Sequence, residues 1–103
     1  MSENLYVRTT MNVAGVGSAI HVAELAEKDA QTCTLLRMIA LAPNDSVMGA
    51  ATPRTSVGSI DIPHSEVPHP ETYSDFPDIV AERVDAESFA GLWNEAMALY
   101  GEI

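Results

Sequence analysis

The chain has 103 residues, a length that supports one domain with one small core. Fifteen acidic residues against five basic ones give a formal net charge of −10, which argues against nucleic acid and anionic membranes as partners and favours a basic protein surface. The hydrophobic fraction of 47% is typical of a folded domain and not of a disordered chain.

The first two segments predict a pair of strands. Residues 5–13 alternate apolar with polar side chains, which is the pattern of a half-buried strand. Glycines in the stretch 15–18 then permit a tight reversal of the chain. A second strand is expected over residues 18–25, although residues 23–28 would also suit a short helix.

The next segments extend this meander. Residues 32–41 are the most apolar run and suit either a central strand or a buried helix; the turn signals on both sides favour the strand. Turn chemistry at residues 43–45 leads to a fourth strand over residues 46–51 and a short edge element over 57–62. We therefore expect an antiparallel sheet of about four strands within residues 5–62.

Residues 63–78 differ in composition from the segments before them. They contain four prolines and several acids, which predicts a proline-rich acidic surface loop. The wider stretch 61–87 carries eight carboxylates and one base, Arg83. The residues predicted to bind a partner are Asp61, Glu66, Glu71, Asp75, Asp78 and Glu82.

The end of the chain predicts an amphipathic helix over residues 85–100. Asp85 suits the N-cap and Glu87 places negative charge in the first turn, where the helix dipole favours it. Gly101 suits the position after the last turn. The apolar stripe that should pack on the sheet consists of Phe89, Leu92, Trp93, Ala96, Leu99 and Tyr100.

The remaining motifs give no indication of secretion or membrane insertion. Cys33 is the only cysteine, so no internal disulfide can form, and its apolar neighbours predict a buried, inert thiol. Residues 1–4 lack the features of a signal peptide, and no apolar run approaches the length of a membrane span. A cytoplasmic protein is therefore expected.

Two histidines form the sharpest candidate for chemistry. His64 and His69 lie close to Glu66 and Glu71, a set that could bind zinc. They are five residues apart in a proline-interrupted stretch, whereas metal-binding histidines on a helix are four apart, so a solvated loop is favoured. Since motifs for serine nucleophiles and nucleotide binding are absent as well, we predict no catalytic residue, no metal site and no cofactor.

The order of features resembles a small bacterial domain family of unknown function. The residues that carry the resemblance span roughly 5–96 and are Tyr6-Val7, Ala23-Glu24-Leu25, Arg37, Gly49, Ile62-Pro63, Phe76-Pro77 and Glu87-Ser88-Phe89-x-x-Leu92-Trp93. The resemblance implies a strand meander followed by a C-terminal helix. It brings no activity with it.

These observations favour a non-enzymatic acidic protein that docks on a basic protein surface. Bacterial immunity proteins, antitoxins and phage inhibitors share this physical profile of small size and net negative charge. The alternative is a structural or assembly protein, such as a virion or scaffold component, in which an exposed strand edge pairs with a second copy of the chain.

Overall fold

The computed structural model describes residues 4–13, 17–60, 62–70, 72 and 79–101. The described residues form β1 (Leu5–Val13), β2 (Gly17–Glu27), β3 (Thr32–Leu41), β4 (Val47–Thr52), β5 (Thr55–Gly58), β6 (Glu66–Pro68), β7 (Ile79–Arg83) and α1 (Ala86–Tyr100). All strand pairs are antiparallel and belong to one sheet. The predicted class, α+β with an antiparallel sheet and a C-terminal helix, is confirmed. The predicted number of about four strands is wrong, because the described sheet has seven.

The strands are ordered β5-β4-β3-β2-β1-β7, and β6 pairs with β3 beside this path. The four segments predicted as the meander are strands β1 to β4. Both helical alternatives are wrong, because residues 23–27 lie in β2 and residues 32–41 form β3. Asp45, in the turn between β3 and β4, adopts a positive φ of 70°, which asparagine and aspartate tolerate better than most residues.

Three short strands account for the difference in strand number. β5 overlaps the predicted edge element, whereas β6 and β7 were not predicted. β6 has three residues and ends in a proline, and β7 ends in Glu82 and Arg83, so neither shows the alternation that identifies longer strands. β6 and β7 are strands because they pair with β3 and β1, and not because their local sequence favours a strand.

The sheet has an apolar cluster on each face, because successive side chains of a strand point to opposite sides. The face covered by α1 buries Ile20, Val22, Ile39, Leu41, Val47 and Ala50 against Phe89 and Ala96. The opposite face buries Val7, Ala23, Leu25, Cys33 and Leu35. The buried thiol of Cys33 is therefore confirmed.

Both predicted ends of α1 are confirmed. The Asp85 side chain accepts a hydrogen bond of 2.7 Å from the Ser88 backbone N–H, and Gly101 ends the helix with a positive φ of 87°. The predicted apolar stripe is wrong at Leu99, which is 60% exposed. Leu99 is rotated by about 80° around the helix axis from Phe89, so it lies beside the buried stripe. Within the described chain, no helical segment has the length and apolarity to cross a membrane.

The predicted proline-rich loop is partly replaced by a strap, residues 66–70, whose first three residues pair with β3 in the sheet. The strap begins with β6, and its Val67 packs against the cluster around Cys33. His69 is only 2% exposed and its ring Nε2 lies 3.0 Å from Oε2 of Glu27, so the expectation of a solvated loop is wrong at this histidine. Residues 61, 71 and 73–78 lie outside the described residues.

Candidate functional site

A β-bulge sets the position of the central charged pair. β2 and β3 pair Glu24 with Arg37 but Leu25 with Leu35, so Leu36 is an extra residue in β3. Because of this extra residue, Arg37 lies opposite Glu24 on the face that α1 covers, while Leu25 and Leu35 both point into the opposite cluster.

Glu24 is the acceptor at the centre of this site. Its carboxylate receives hydrogen bonds from Arg37 Nε at 2.7 Å and Arg37 Nη2 at 3.1 Å, one to each oxygen. The Tyr6 hydroxyl donates to the same carboxylate at 2.9 Å, and Asn4 Nδ2 lies at 3.4 Å. The Glu24 side chain is 9% exposed and that of Arg37 is 33% exposed, so the pair is shielded from water on the glutamate side.

The guanidinium of Arg37 also contacts two aromatic rings of α1. Its central carbon lies 5.0 Å from the ring centroid of Phe89 and 5.0 Å from that of Trp93. Both distances suit cation–π attraction. The Phe89 ring also lies 5.4 Å from that of Tyr6. We call Tyr6, Glu24, Arg37, Phe89 and Trp93 the Glu24 cluster.

The ionisation of these groups follows from their contacts. Burial alone would raise the pKa of Glu24, but hydrogen bonds from Arg37 and Tyr6 outweigh it, so the pKa of this carboxyl lies below its ordinary value. The hydrogen bond to Glu24 raises the pKa of Tyr6, and the bond to the same carboxylate raises the pKa of Arg37. The charged pair and the neutral phenol are therefore the stable forms near neutral pH.

The Glu24 cluster is built to hold α1 on the sheet. Among the described residues, every buried side-chain nitrogen or oxygen has a hydrogen-bond partner, so the cluster leaves no buried polar atom unsatisfied. Arg37 links Glu24 on the sheet to Phe89 and Trp93 on the helix. The cluster thus fixes where the outer surface of α1 is presented.

Stability is expected to fall in acid as Glu24 becomes protonated. A group with a lowered pKa in the folded state stabilises the protein above its ordinary pKa, and this contribution is lost as the pH falls through the lowered value. Urea unfolding at pH 7, 5, 4 and 3 measures the effect. Glu24→Gln should give a shallower pH dependence than the wild type; equal slopes would contradict the assignment. Asp85 also contributes to the pH dependence, because its hydrogen bond to Ser88 lowers its pKa. The variant Asp85→Asn, which retains an N-cap, measures that contribution separately.

A second feature is a row of exposed carboxylates on the helix side. Glu82 belongs to β7, and its side chain points to the face that α1 covers, because it pairs with Arg8. Asp85 follows as the N-cap, and Glu87 and Glu95 lie two turns apart on the outer surface of α1, separated by about 12 Å along its axis. We call Glu82, Asp85, Glu87 and Glu95 the acidic ridge. All four are exposed, and α1 contains no lysine or arginine.

Three of the five basic side chains form ion pairs with carboxylates of the same chain. Arg8 Nη2 lies 2.6 Å from Oδ1 of Asp45, Lys28 is paired with Glu66, and Arg37 is paired with Glu24. Two of the five basic residues, Arg54 and Arg83, have no such ion pair among the described residues. The described surface therefore presents far more negative than positive charge that is not already neutralised.

The predicted partner-binding residues are placed as follows. Glu82 lies on the acidic ridge. Glu66 lies on β6, separated from β7 in the sheet order by β3, β2 and β1, and it is paired with Lys28. Asp61, Glu71, Asp75 and Asp78 lie outside the described residues. The structure thus does not bring Glu66 and Glu82 together.

The histidines occupy different environments. His64 is exposed, and His69, a residue of the strap, is buried beside Glu27. His21 borders a cleft of about 300 Å³ whose other lining residues carry no ionisable side chain, and burial lowers the pKa of His21. Within the described ranges, no three side chains of histidine, cysteine, aspartate or glutamate are grouped as metal ligands would be.

Sequence reasoning missed the Glu24 cluster and most of the acidic ridge. A signal for the cluster was present, since an arginine within the most apolar run of the chain must find a partner when it is buried. Its partner depends on the bulge at Leu36, which the sequence pattern does not show. For the ridge, Asp85 and Glu87 belong to the acidic stretch 61–87 and are predicted as helix-start residues, but not as partner-binding residues, and no role is predicted for Glu95.

Comparisons with known proteins add no further constraint. No protein-family model, no curated protein and no solved structure matches the chain. The resemblance to a small bacterial domain family therefore stays a prediction, although Tyr6, Glu24, Arg37, Phe89 and Trp93, which belong to that pattern, are the members of the Glu24 cluster.

Proposed function

We propose that this chain is a non-enzymatic binding protein that docks on a basic protein surface, as immunity proteins, antitoxins and phage inhibitors do. One observation carries the proposal: three of the five basic side chains are paired with carboxylates outside the acidic ridge, while the four carboxylates of the ridge remain exposed. The internal pairing leaves the negative charge free to act on a partner.

The acidic ridge suits this role because of where its charges lie. Glu87 and Glu95 project from a helix that the Glu24 cluster holds on the sheet, so their positions relative to Glu82 on β7 are fixed. Between them, Gly91 leaves open space where a side chain would be, because a Cβ built there meets no atom within 4 Å. A partner's backbone or long basic side chain can approach the helix closely at this position.

The predicted residues of the 61–78 region extend the proposal. Asp61, Glu71, Asp75 and Asp78 would add to the negative charge that a partner meets, and Glu82 already belongs to the acidic ridge. Glu66 is a weaker contributor, because Lys28 already neutralises it. Removing Glu66 would also release the positive charge of Lys28, so a test of docking should leave this pair intact.

The measurable consequence is steering of association. Complementary charge raises association rate constants from about 10⁵–10⁶ to as much as about 10⁸–10⁹ M⁻¹s⁻¹ at low salt. We expect the association rate with the native partner, captured from the host and purified, to fall at least about tenfold between about 50 mM and about 500 mM salt. Stopped-flow fluorescence of Trp93 measures this rate.

Two variants of equal charge locate the effect. Glu95→Gln removes one charge from the acidic ridge, whereas Asp29→Asn removes one from the exposed turn between β2 and β3. The ridge variant should associate more slowly at low salt, and the control should stay close to the wild type. A partner that binds at the same rate in high salt and to both variants would refute docking through the acidic ridge.

A further inference from the structure

The strand β7 forms one end of the sheet among the described strands. Its pairing with β1 occupies one edge, and no other described strand pairs with it. The side chains of residues 80–83 are all exposed, with Val80 52% exposed. An exposed edge strand presents unpaired backbone N–H and C=O groups to other chains.

The other short strands at a sheet edge are interrupted in ways that β7 is not. β5 has four residues and ends at Gly58, whose φ of 74° turns the chain out of the strand direction. β6 has three residues and ends in Pro68, which has no N–H to donate. β7 has five residues, with neither a proline nor a positive φ. Its backbone is therefore the most suitable in the described sheet to accept another strand.

The backbone groups of β7 that point outward can be assigned. The Val84 N–H donates to the Tyr6 carbonyl at 2.9 Å, which makes these two residues a hydrogen-bonded pair. Such pairs alternate along an antiparallel ladder, so Val80 and Glu82 also direct their N–H and C=O groups toward β1. The groups of residues 79, 81 and 83 consequently point away from the sheet.

We propose that β7 pairs antiparallel with β7 of a second copy, about a two-fold axis at Ala81. This register joins Ala81 to Ala81 of the second copy and Ile79 to Arg83 of the second copy, so all the outward groups of β7 find partners. The strand is self-complementary because its outward groups are placed symmetrically about Ala81, which also has a small side chain at the axis.

The two neighbouring symmetric registers are less favourable. An axis at Glu82 would place the two Glu82 side chains directly opposite each other, where like charges destabilise a sheet. An axis at Val80 would leave the outward groups of Arg83 without a partner in β7. With the axis at Ala81, each Glu82 instead faces Val80 of the second copy, whose exposed side chain packs on the aliphatic part of the glutamate.

Self-pairing shares Glu82 with the acidic ridge but depends on salt in the opposite direction to docking on a basic partner. Each copy carries a net charge of −10, so two copies repel each other. Added salt screens this repulsion and should strengthen the dimer, whereas the same salt weakens attraction to a basic protein. Failure of one proposal therefore leaves the other unaffected.

Proline at position 81 tests the backbone pairing. Ala81→Pro removes an outward N–H and leaves the hydrogen bonds to β1 in place, while the control Ala81→Val keeps that N–H. Light scattering after size-exclusion chromatography, over micromolar to millimolar protein, should show the wild type shifting from 11.0 kDa to twice that mass, more strongly in high salt. We expect Ala81→Pro to raise the dimer dissociation constant by more than tenfold with circular dichroism unchanged, and Ala81→Val to change it little.

Disulfide formation tests the register and does not depend on the proline variant. With the axis at Ala81, two Ala81→Cys copies have Cα atoms about 5.5 Å apart, within disulfide range, whereas two Val80→Cys copies are about 8 Å apart. Oxidised glutathione should link the first variant into dimers and not the second; the buried Cys33 should not react. A wild type that stays monomeric at every concentration and salt, or equal linking of both variants, would overturn the proposal.

Discussion

Replacing Glu24 by alanine is expected to lower the free energy of unfolding by about 3 kcal/mol. The change leaves the guanidinium of Arg37 without its carboxylate and the Tyr6 hydroxyl without its acceptor. Breaking a buried pair by removing one partner costs about 3–5 kcal/mol, and we expect the lower end because the Arg37 side chain, 33% exposed, can regain water. Urea unfolding followed by circular dichroism measures the loss.

A matched control and a double mutant separate the pair from its surroundings. Glu95→Ala removes an exposed glutamate of α1 and should change the free energy of unfolding by less than about 0.5 kcal/mol. Glu24→Leu combined with Arg37→Met should recover much of the stability lost in Glu24→Ala, because an apolar pair leaves no uncompensated buried charge. Equal effects of Glu24→Ala and Glu95→Ala, or a double mutant no more stable than Glu24→Ala, would contradict the role of the pair.

The long elements could be predicted because local pattern and tertiary environment agree in them. Residues 5–13 alternate in the sequence and lie in a strand with two different faces, and Asp85 shows its capping role through residue type and position. β7 could not be predicted in this way. Its five residues have no apolar face of their own, and they form a strand because β1 offers a free edge.

The candidate site was less predictable than the fold, because it depends on contacts between distant segments. The sequence showed that residues 61–87 are acidic, but it could not show that Lys28 pairs with Glu66. Nor could it show that β6 pairs with β3, which is three strands away from β7 in the sheet. The prolines beside His69 predict a solvated histidine. In the structure, His69 is buried against Glu27, which is 42 residues earlier in the chain. Local composition predicted the sign of the surface charge and not its arrangement.

Replacing Phe89 by alanine is expected to cost about 4 kcal/mol of unfolding free energy, the largest effect of any single change considered for α1. Phe89 is fully buried, and its ring contacts Tyr6, Trp93 and the guanidinium of Arg37. The substitution leaves a cavity and removes a cation–π contact. Leu99→Ala is the control, because the 60% exposed Leu99 should lose less than about 0.5 kcal/mol. Similar losses for the two variants in urea unfolding would show that Phe89 does not anchor the helix.

The same variant links the core to the proposed function. Phe89→Ala changes no charge, so Glu87 and Glu95 are retained, but the helix that carries them loses its main anchor on the sheet. Under conditions where the variant remains folded, we expect its association with a basic partner to keep its salt dependence, because long-range attraction depends on charge. The dissociation rate should increase, because holding a partner requires the fixed spacing of the acidic ridge. An unchanged dissociation rate in a variant with a loosened helix would indicate that the partner is held elsewhere on the molecule.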